Sequence, residues 1–177
     1  VAIQFKMNMM AEGKTIGLVA ESRPFIVITH TTQWQACSGI LLEKDLFGTE
    51  AVVSWDKFVN VLQHHFVNVT KQQYLKTPKR MLSDDDLKYL RAKFFQNSPL
   101  QVSRSDFKKM WDWFGKVVQR LVYQRHICGM WRQYFIAGLI ERAKAEELLR
   151  GQPMGLCLIY FSEEKTAQFV ISYATEG

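Results

Sequence analysis

The chain has 177 residues, a net charge of +6 and 47% hydrophobic residues. That is room for one or two small domains with real cores. No apolar run approaches the roughly 20 residues of a membrane-spanning helix, so no membrane partner is expected. Val1 to Met10 has no cationic start, apolar stretch or cleavage site, so no signal peptide is expected. Three scattered cysteines, Cys37, Cys128 and Cys157, point to reduced thiols in a cytoplasmic or nuclear protein.

The charge is uneven. Residues 1–50 carry −1 and residues 151–177 carry −2, whereas residues 51–150, with 18 Lys/Arg against 9 Asp/Glu, carry +9. A basic middle either meets nucleic acid by counterion release or is a set of solvated helix faces.

In chain order, Ile3, Phe5, Met7 and Met9 alternate with polar residues, the period of a half-buried strand. Glu12-Gly13-Lys14 signals a turn, and Ile16 to Val19 a short second strand. Pro24 leads into Phe25–His30, a β-branched run that predicts a buried third strand. Three strands make a poor sheet alone, so the chain reads as a piece of something longer.

Ser54 predicts a helix N-terminus, with Trp55, Phe58, Val59, Leu62 and Phe66 on one stripe. Lys71 to Arg80 reads as a basic connector containing Pro78. Ser83 and Asp86 form a capping-box start, followed by the stripe Leu87, Leu90, Phe94. After Ser103 the stripe Phe107, Met110, Trp111, Phe114, Val117, Val118, Leu121 predicts another helix, with Gly115 as a bend. Glu141 to Arg150 predicts a last helix, stopped by Gly151. Leu156–Phe161 and Gln168–Tyr173 read as two strands around a Glu163–Thr166 hairpin loop.

No sequence pattern for catalysis is present: no Gly-rich phosphate loop, HExxH or GxSxG. An enzyme is not expected, and neither is a cofactor. His64-His65 point about 100° apart on a helix, which suits structural or surface roles better than one metal. Asp84-Asp85-Asp86 lacks the alternating oxygens, central Gly and distal Glu of a calcium loop. It reads instead as negative charge at a helix N-terminus. Trp55, Trp111, Trp113 and Trp131 are expected in the core.

The tail runs Trp131 to Ile140 (WRQYFIAGLI), then a helix ending at Leu149, then Gly155 to Glu163 (GLCLIYFSE). This resembles the SH2 domain of the STAT family (signal transducers and activators of transcription), which reads W-x-x-G-x-I-x-G-F-I, a helix, then G-T-F-L-L-R-F-S-E-S. Trp55-Asp56 with Val61-Leu62 and Phe66 resembles the start of that family's linker. Trp111 to Phe114 resembles its later aromatic cluster, and Pro24 to His30 its last DNA-binding strand. The four motifs are collinear. The Trp113-to-Trp131 spacing is slightly long, which an insertion at a helix end would absorb.

The resemblance implies a multidomain α+β fragment. Residues 1–50 would end an Ig-like DNA-binding β-domain, 51–128 an all-α linker, and 129–177 the first half of an SH2 domain. The family's N-terminal and coiled-coil domains, most of its DNA-binding domain and its tyrosine tail would lie outside this sequence. It implies a transcription factor that meets double-stranded DNA through Thr29 and His30 and forms a homo- or heterodimer with a STAT-type protein. The alternative is an adaptor or scaffold acting by protein–protein contacts without DNA.

One departure stands out. The family's phosphate-binding arginine falls at Tyr160. An arginine fork gives two charge-assisted bonds where a phenol gives one neutral donor. At about 1.5–3 kcal/mol per lost bond to a charged group, phosphotyrosine peptide binding should be weak or absent. The degenerate pocket would comprise Arg142, Tyr160, Ser162, Glu163 and Lys165, with Tyr160 either filling the site as core or keeping a weak donor there.

Overall fold

The computed structural model describes residues 1–74, 76, 80–96 and 100–175. Pro78 of the expected connector lies outside them. The chain opens with an antiparallel hairpin, β1 (Gln4–Ala11) and β2 (Lys14–Glu21), in register from Gln4↔Glu21 to Ala11↔Lys14. Its two-residue turn places Glu12 at φ 49° and Gly13 at φ 76°. That double positive φ matches the twist of the flanking strands, and Gly supplies the second at no steric cost.

The expected third strand does not form. Residues 22–28 take no strand, and Val27 is 72% exposed. A β-branched run favours extended backbone, but a strand needs a ladder partner. Here the contacts back to the first strand are few: Ser22 N–H donates to Ile3 O at 2.9 Å and Phe25 N–H to Val1 O at 2.9 Å, and no ladder continues beyond them. Of the expected Ig-like end, the described residues hold this one hairpin.

A helix absent from the sequence reading follows: α1 (Trp34–Phe47), entered through a 3-10 turn at Thr31–Gln33. Leu42, Leu46 and Phe47 are each 1% exposed and join the helical core. Three further helices build that core: α2 (Trp55–Val69), α3 (Asp84–Phe94) and α4 (Arg104–Tyr123). The expected caps at Ser54 and Ser83 form, and Ser103 supplies a third. Ser54 Oγ accepts from Lys57 N–H, Ser83 and Asp86 form the capping box, and Ser103 Oγ accepts from Asp106 N–H. Asp84, Asp85 and Asp86 occupy the first turn of α3, where carboxylates favour the helix dipole.

The aromatic stripes meet inside. Phe58, Leu62, Phe66, Phe107 and Phe114 are each 1% exposed. Burying each such side chain contributes about 1.5–3 kcal/mol. Helix α4 runs unbroken through Gly115. A Cβ there would lie 2.9 Å from Gln35 Cγ and 3.0 Å from the Trp111 indole. The glycine lets α1 approach α4 instead.

The four helices form two helix–loop–helix units, α1–α2 and α3–α4. Their loops are joined by a short antiparallel pair, β3 (Val52–Ser54) with β4 (Gln101–Ser103). Val53 and Val102 sit opposite each other, 4% and 0% exposed.

Helices continue past Arg125 as α5 (Arg125–Arg132). The last module holds α6 (Arg142–Leu149) and the antiparallel pair β5 (Cys157–Phe161) and β6 (Phe169–Tyr173). Ile136 adds a parallel bridge to Ile159, with Ala137 N–H donating to Ile159 O and Phe161 N–H to Gly138 O. Leu156 falls outside the strand read over Leu156–Phe161. It lies before β5 and is 46% exposed.

Arg80 joins this module to the helices. It is 7% exposed, with its guanidinium 4.0 Å from the Trp131 ring centroid and bonded to the carbonyls of Trp131 and Ala137. Beside it, buried Asp86 accepts from Ser83 N–H and Leu139 N–H. Burial pushes the Asp86 carboxyl up and the Arg80 guanidinium down from their usual ranges.

Candidate functional site: the cleft at Tyr160

Four of the residues singled out for the degenerate pocket line one cleft of about 320 Å³: Arg142, Tyr160, Ser162 and Glu163. Three elements position them. Arg142 opens α6, Tyr160 lies on β5, and Ser162 and Glu163 begin the β5–β6 loop. The fifth, Lys165, is not among the lining residues. Its backbone N–H donates to Ser162 Oγ at 3.0 Å, while Ser162 N–H donates to Gln168 O at 2.8 Å. These bonds fold the loop tightly.

Tyr160 is 1% exposed, so it serves as core. Its hydroxyl is 3.1 Å from Ser172 Oγ on β6. Tyr160 pairs with Val170, which places Ser172 two residues along the same face. The phenol is therefore satisfied from within.

The charges in the cleft oppose an anion. Three acidic residues, Glu146, Glu163 and Glu164, line the cleft with Arg142. Arg142 Nε donates to Glu146 Oε1 at 2.8 Å, one turn along α6. That bond and the Glu146 charge raise the guanidinium above its usual range. Arg142 N–H donates to Glu163 Oε2 at 3.0 Å. The helix N-terminus, a natural anion seat, thus holds the chain's own carboxylate. Lys93 Nζ, from α3, donates to Glu163 O at 3.3 Å and ties the loop to the helical core. A wider groove continues past Arg142 toward Arg150 and Tyr173.

Thr29 and His30 lie elsewhere. His30 caps the 3-10 turn: its Nδ1 accepts from Thr32 N–H at 3.3 Å and lies 2.8 Å from Thr32 Oγ1. Gln33 Oε1 accepts from Thr29 N–H at 2.9 Å. Gln119 Nε2, on α4, donates to Thr31 O at 2.7 Å. Lys116 and Arg120 line the same surface hollow as Thr31.

Sequence reasoning missed Glu146, Glu164 and Ser172. The four-residue spacing from Arg142 was a usable signal for Glu146. Ser172 depends on a register that only the folded pair reveals. Of the other residues singled out, His65 packs edge-on to Trp111, 5.6 Å between centroids, and its Nε2 lies 2.9 Å from Ser38 Oγ. Among the described residues no three His, Cys, Asp or Glu side chains converge to hold a metal. No helix there is long and apolar enough to cross a membrane.

Residues 30–124, which include α1, match the family model described as the EF-hand fold domain. The chain is 43% identical to signal transducer and activator of transcription A of Dictyostelium discoideum over 152 residues, 86% of this chain and 21% of that protein. It is also 43% identical to signal transducer and activator of transcription B of the same organism, over 86% of this chain and 13% of that protein. The chain belongs to the STAT family and carries an EF-hand fold domain. It is similar as well to SH2 domain-containing protein B of Arabidopsis thaliana, 29% identical over 64% of this chain and 16% of that protein. The chain thus spans about a fifth or less of the length of these relatives. The EF-hand match concerns the fold: the two loops are those joined by β3 and β4, and the Asp84–Asp86 cluster lies on a helix outside both.

Proposed function

We propose that this chain is the middle of a STAT-type signalling protein and sequence-specific DNA-binding transcription factor, active in cytoplasm and nucleus. It would dimerise with a STAT-type protein through an SH2 domain whose phosphotyrosine pocket is impaired. In this reading the opening residues end the DNA-contacting region, a rigid linker follows and 129–177 begin the SH2 domain; the boundary expected at residue 50 moves to before α1, because α1 packs into the linker's core. Likeness to the Dictyostelium proteins along 86% of the chain supports the family role.

The observation that carries the impaired pocket is the interior of the cleft. Tyr160 is buried and bonded to Ser172, and Glu163 holds the α6 N-terminus. A phosphate dianion would have to displace that carboxylate and face two others. Dimer contacts that need no phosphate follow from this reading.

The test is calorimetry of the full-length protein with one phosphotyrosine peptide. Wild type should bind weakly or not at all. Tyr160→Arg should bind about ten-fold or more tightly, a gain of about 1.4 kcal/mol. Micromolar binding by wild type that Arg142→Ala abolishes would show a pocket rebuilt around Arg142 and overturn the reading.

The adaptor reading keeps one observation in its favour. The Nδ1 that could meet a base edge at His30 is already engaged in the cap, leaving only Nε2 for DNA.

A further inference from the structure

The first helix–loop–helix unit turns a cluster of oxygens toward one point, two from its loop, residues 48–54, and one from helix α1. Gly48 O, Glu50 O and the carboxylate of Glu43 all face the guanidinium of Arg104. Arg104 Nε donates to Glu50 O at 3.0 Å, one terminal nitrogen to Glu43 Oε1 at 3.1 Å, and the other to Gly48 O at 2.8 Å. The guanidinium carbon lies 4.9 Å from the Phe47 ring centroid. All three nitrogens of the fork are used, and two of the three acceptors are main-chain carbonyls. A point charge on a lysine could not span them.

Arg104 comes from the other unit. It is the first residue of α4, directly after β4, and its N–H also donates to Ala51 O at 3.3 Å. A cation at the first position of a 20-residue helix opposes the helix dipole. The two carbonyls and Glu43, all from the first unit, offset that cost. In a calcium-binding EF-hand, a cation gathers loop carbonyls and carboxylates in the same way.

We propose that Arg104 is a built-in cation that fills the first loop of this EF-hand fold in the role a bound calcium ion takes elsewhere. The slot is selective for a planar guanidinium, and it fastens the two units without metal. The loop's own carboxylate, Glu50, is consistent with this. Glu50 turns away to Lys57 Nζ at 3.1 Å, so the slot keeps a single carboxylate and would hold a divalent ion poorly.

Thermal unfolding of the complete chain tests this. Wild type should melt at the same temperature in calcium and in chelator. Arg104→Ala should melt several degrees lower. A few tens of millimolar guanidinium chloride, far below denaturing levels, should restore part of that loss relative to sodium chloride at equal ionic strength. The same addition should not raise the wild-type midpoint. Arg104→Lys, which keeps the charge and protects against failure to fold, should fall between the two. A calcium-dependent wild-type midpoint, an Arg104→Ala midpoint equal to wild type, an Arg104→Lys midpoint equal to wild type, or no recovery with guanidinium would each overturn the proposal.

Discussion

The helical unit and the SH2-like module treat their interiors differently. In the helices, aromatic residues from four elements interlock: Phe66 meets Phe114 and Trp131, and Trp111 meets Phe107, Phe114 and Trp34. The module beyond Ile136 is thin. Ala145, Leu149, Tyr160, Phe161 and Ala174 are its buried apolar members after Leu139, while Met154, Ile171 and Tyr173 stay exposed. Both regions nevertheless bring a charge of their own to a place suited to an outside ligand. Arg104 fills a loop suited to a cation, and Glu163 takes a helix end suited to an anion. The thick core spreads a loss over many contacts, whereas the thin module rests on a few buried side chains, Tyr160 and Phe161 the largest of them.

The sharpest contrast should come from Trp111→Ala. The indole is 5% exposed, its Nε1–H donates to Gln35 O at 2.9 Å, and it packs against the close approach of α1 and α4. Removing it should cost about 3–5 kcal/mol, seen as a lower denaturation midpoint or a loss of folded yield. A stable mutant with a selective binding defect would mean that this part of the helical unit is a site rather than a core.

His65 tests the same core through pH. Burial lowers its pKa from 6.5 to about 4, with the Asp45 charge opposing and His64 adding to the shift. The folded state therefore keeps the ring neutral where the unfolded chain binds a proton. Stability from this group is fully present above pH 6.5 and is lost as pH falls from 6.5 toward 4. The loss reaches about 3 kcal/mol at most. Denaturation midpoints should fall over that window in wild type and fall less in His65→Gln. Equal pH profiles for the two would place the acid sensitivity elsewhere.

Local signals were legible in the sequence and remote ones were not. Ser54, Ser83 and Ser103 each marked a helix start because a cap is a three-residue affair. The stripes of α2 and α4 were legible because every apolar position faces one core. Helix α1 was not, because Cys37, Ser38 and Gly39 interrupt its stripe and Ile40 is 58% exposed. The β3–β4 pair has only three residues a side, joined across some fifty residues of chain, too short for a periodic signal. Phe25–His30 had a strand's composition but no partner strand. Within the cleft, Arg142, Tyr160, Ser162 and Glu163 came from motif order. That Glu163 would cap α6 depends on tertiary geometry alone. The same holds for Arg104, whose partners are mostly backbone atoms with no sequence signature.

The smallest expected effect asks whether the hairpin end belongs with the helices or with DNA. His30 stands between them, capping the turn that enters α1. Loss of an N-cap side chain costs about 0.5–2 kcal/mol of stability, and a base contact is worth about 1–3 kcal/mol at one position of a DNA site. His30→Asn keeps a capping acceptor and shortens the reach, whereas His30→Ala removes both. If His30 only caps, Ala should lower the melting temperature slightly, Asn should restore it, and neither should alter site preference in the full-length protein. If His30 also reads DNA, both variants should relax preference at one base position across a randomised site library, while only Ala loses stability. Selection from that library, run beside thermal melts of the same variants, separates the two. A preference unchanged in both variants would leave the turn as a structural joint and remove His30 from the proposed DNA contact.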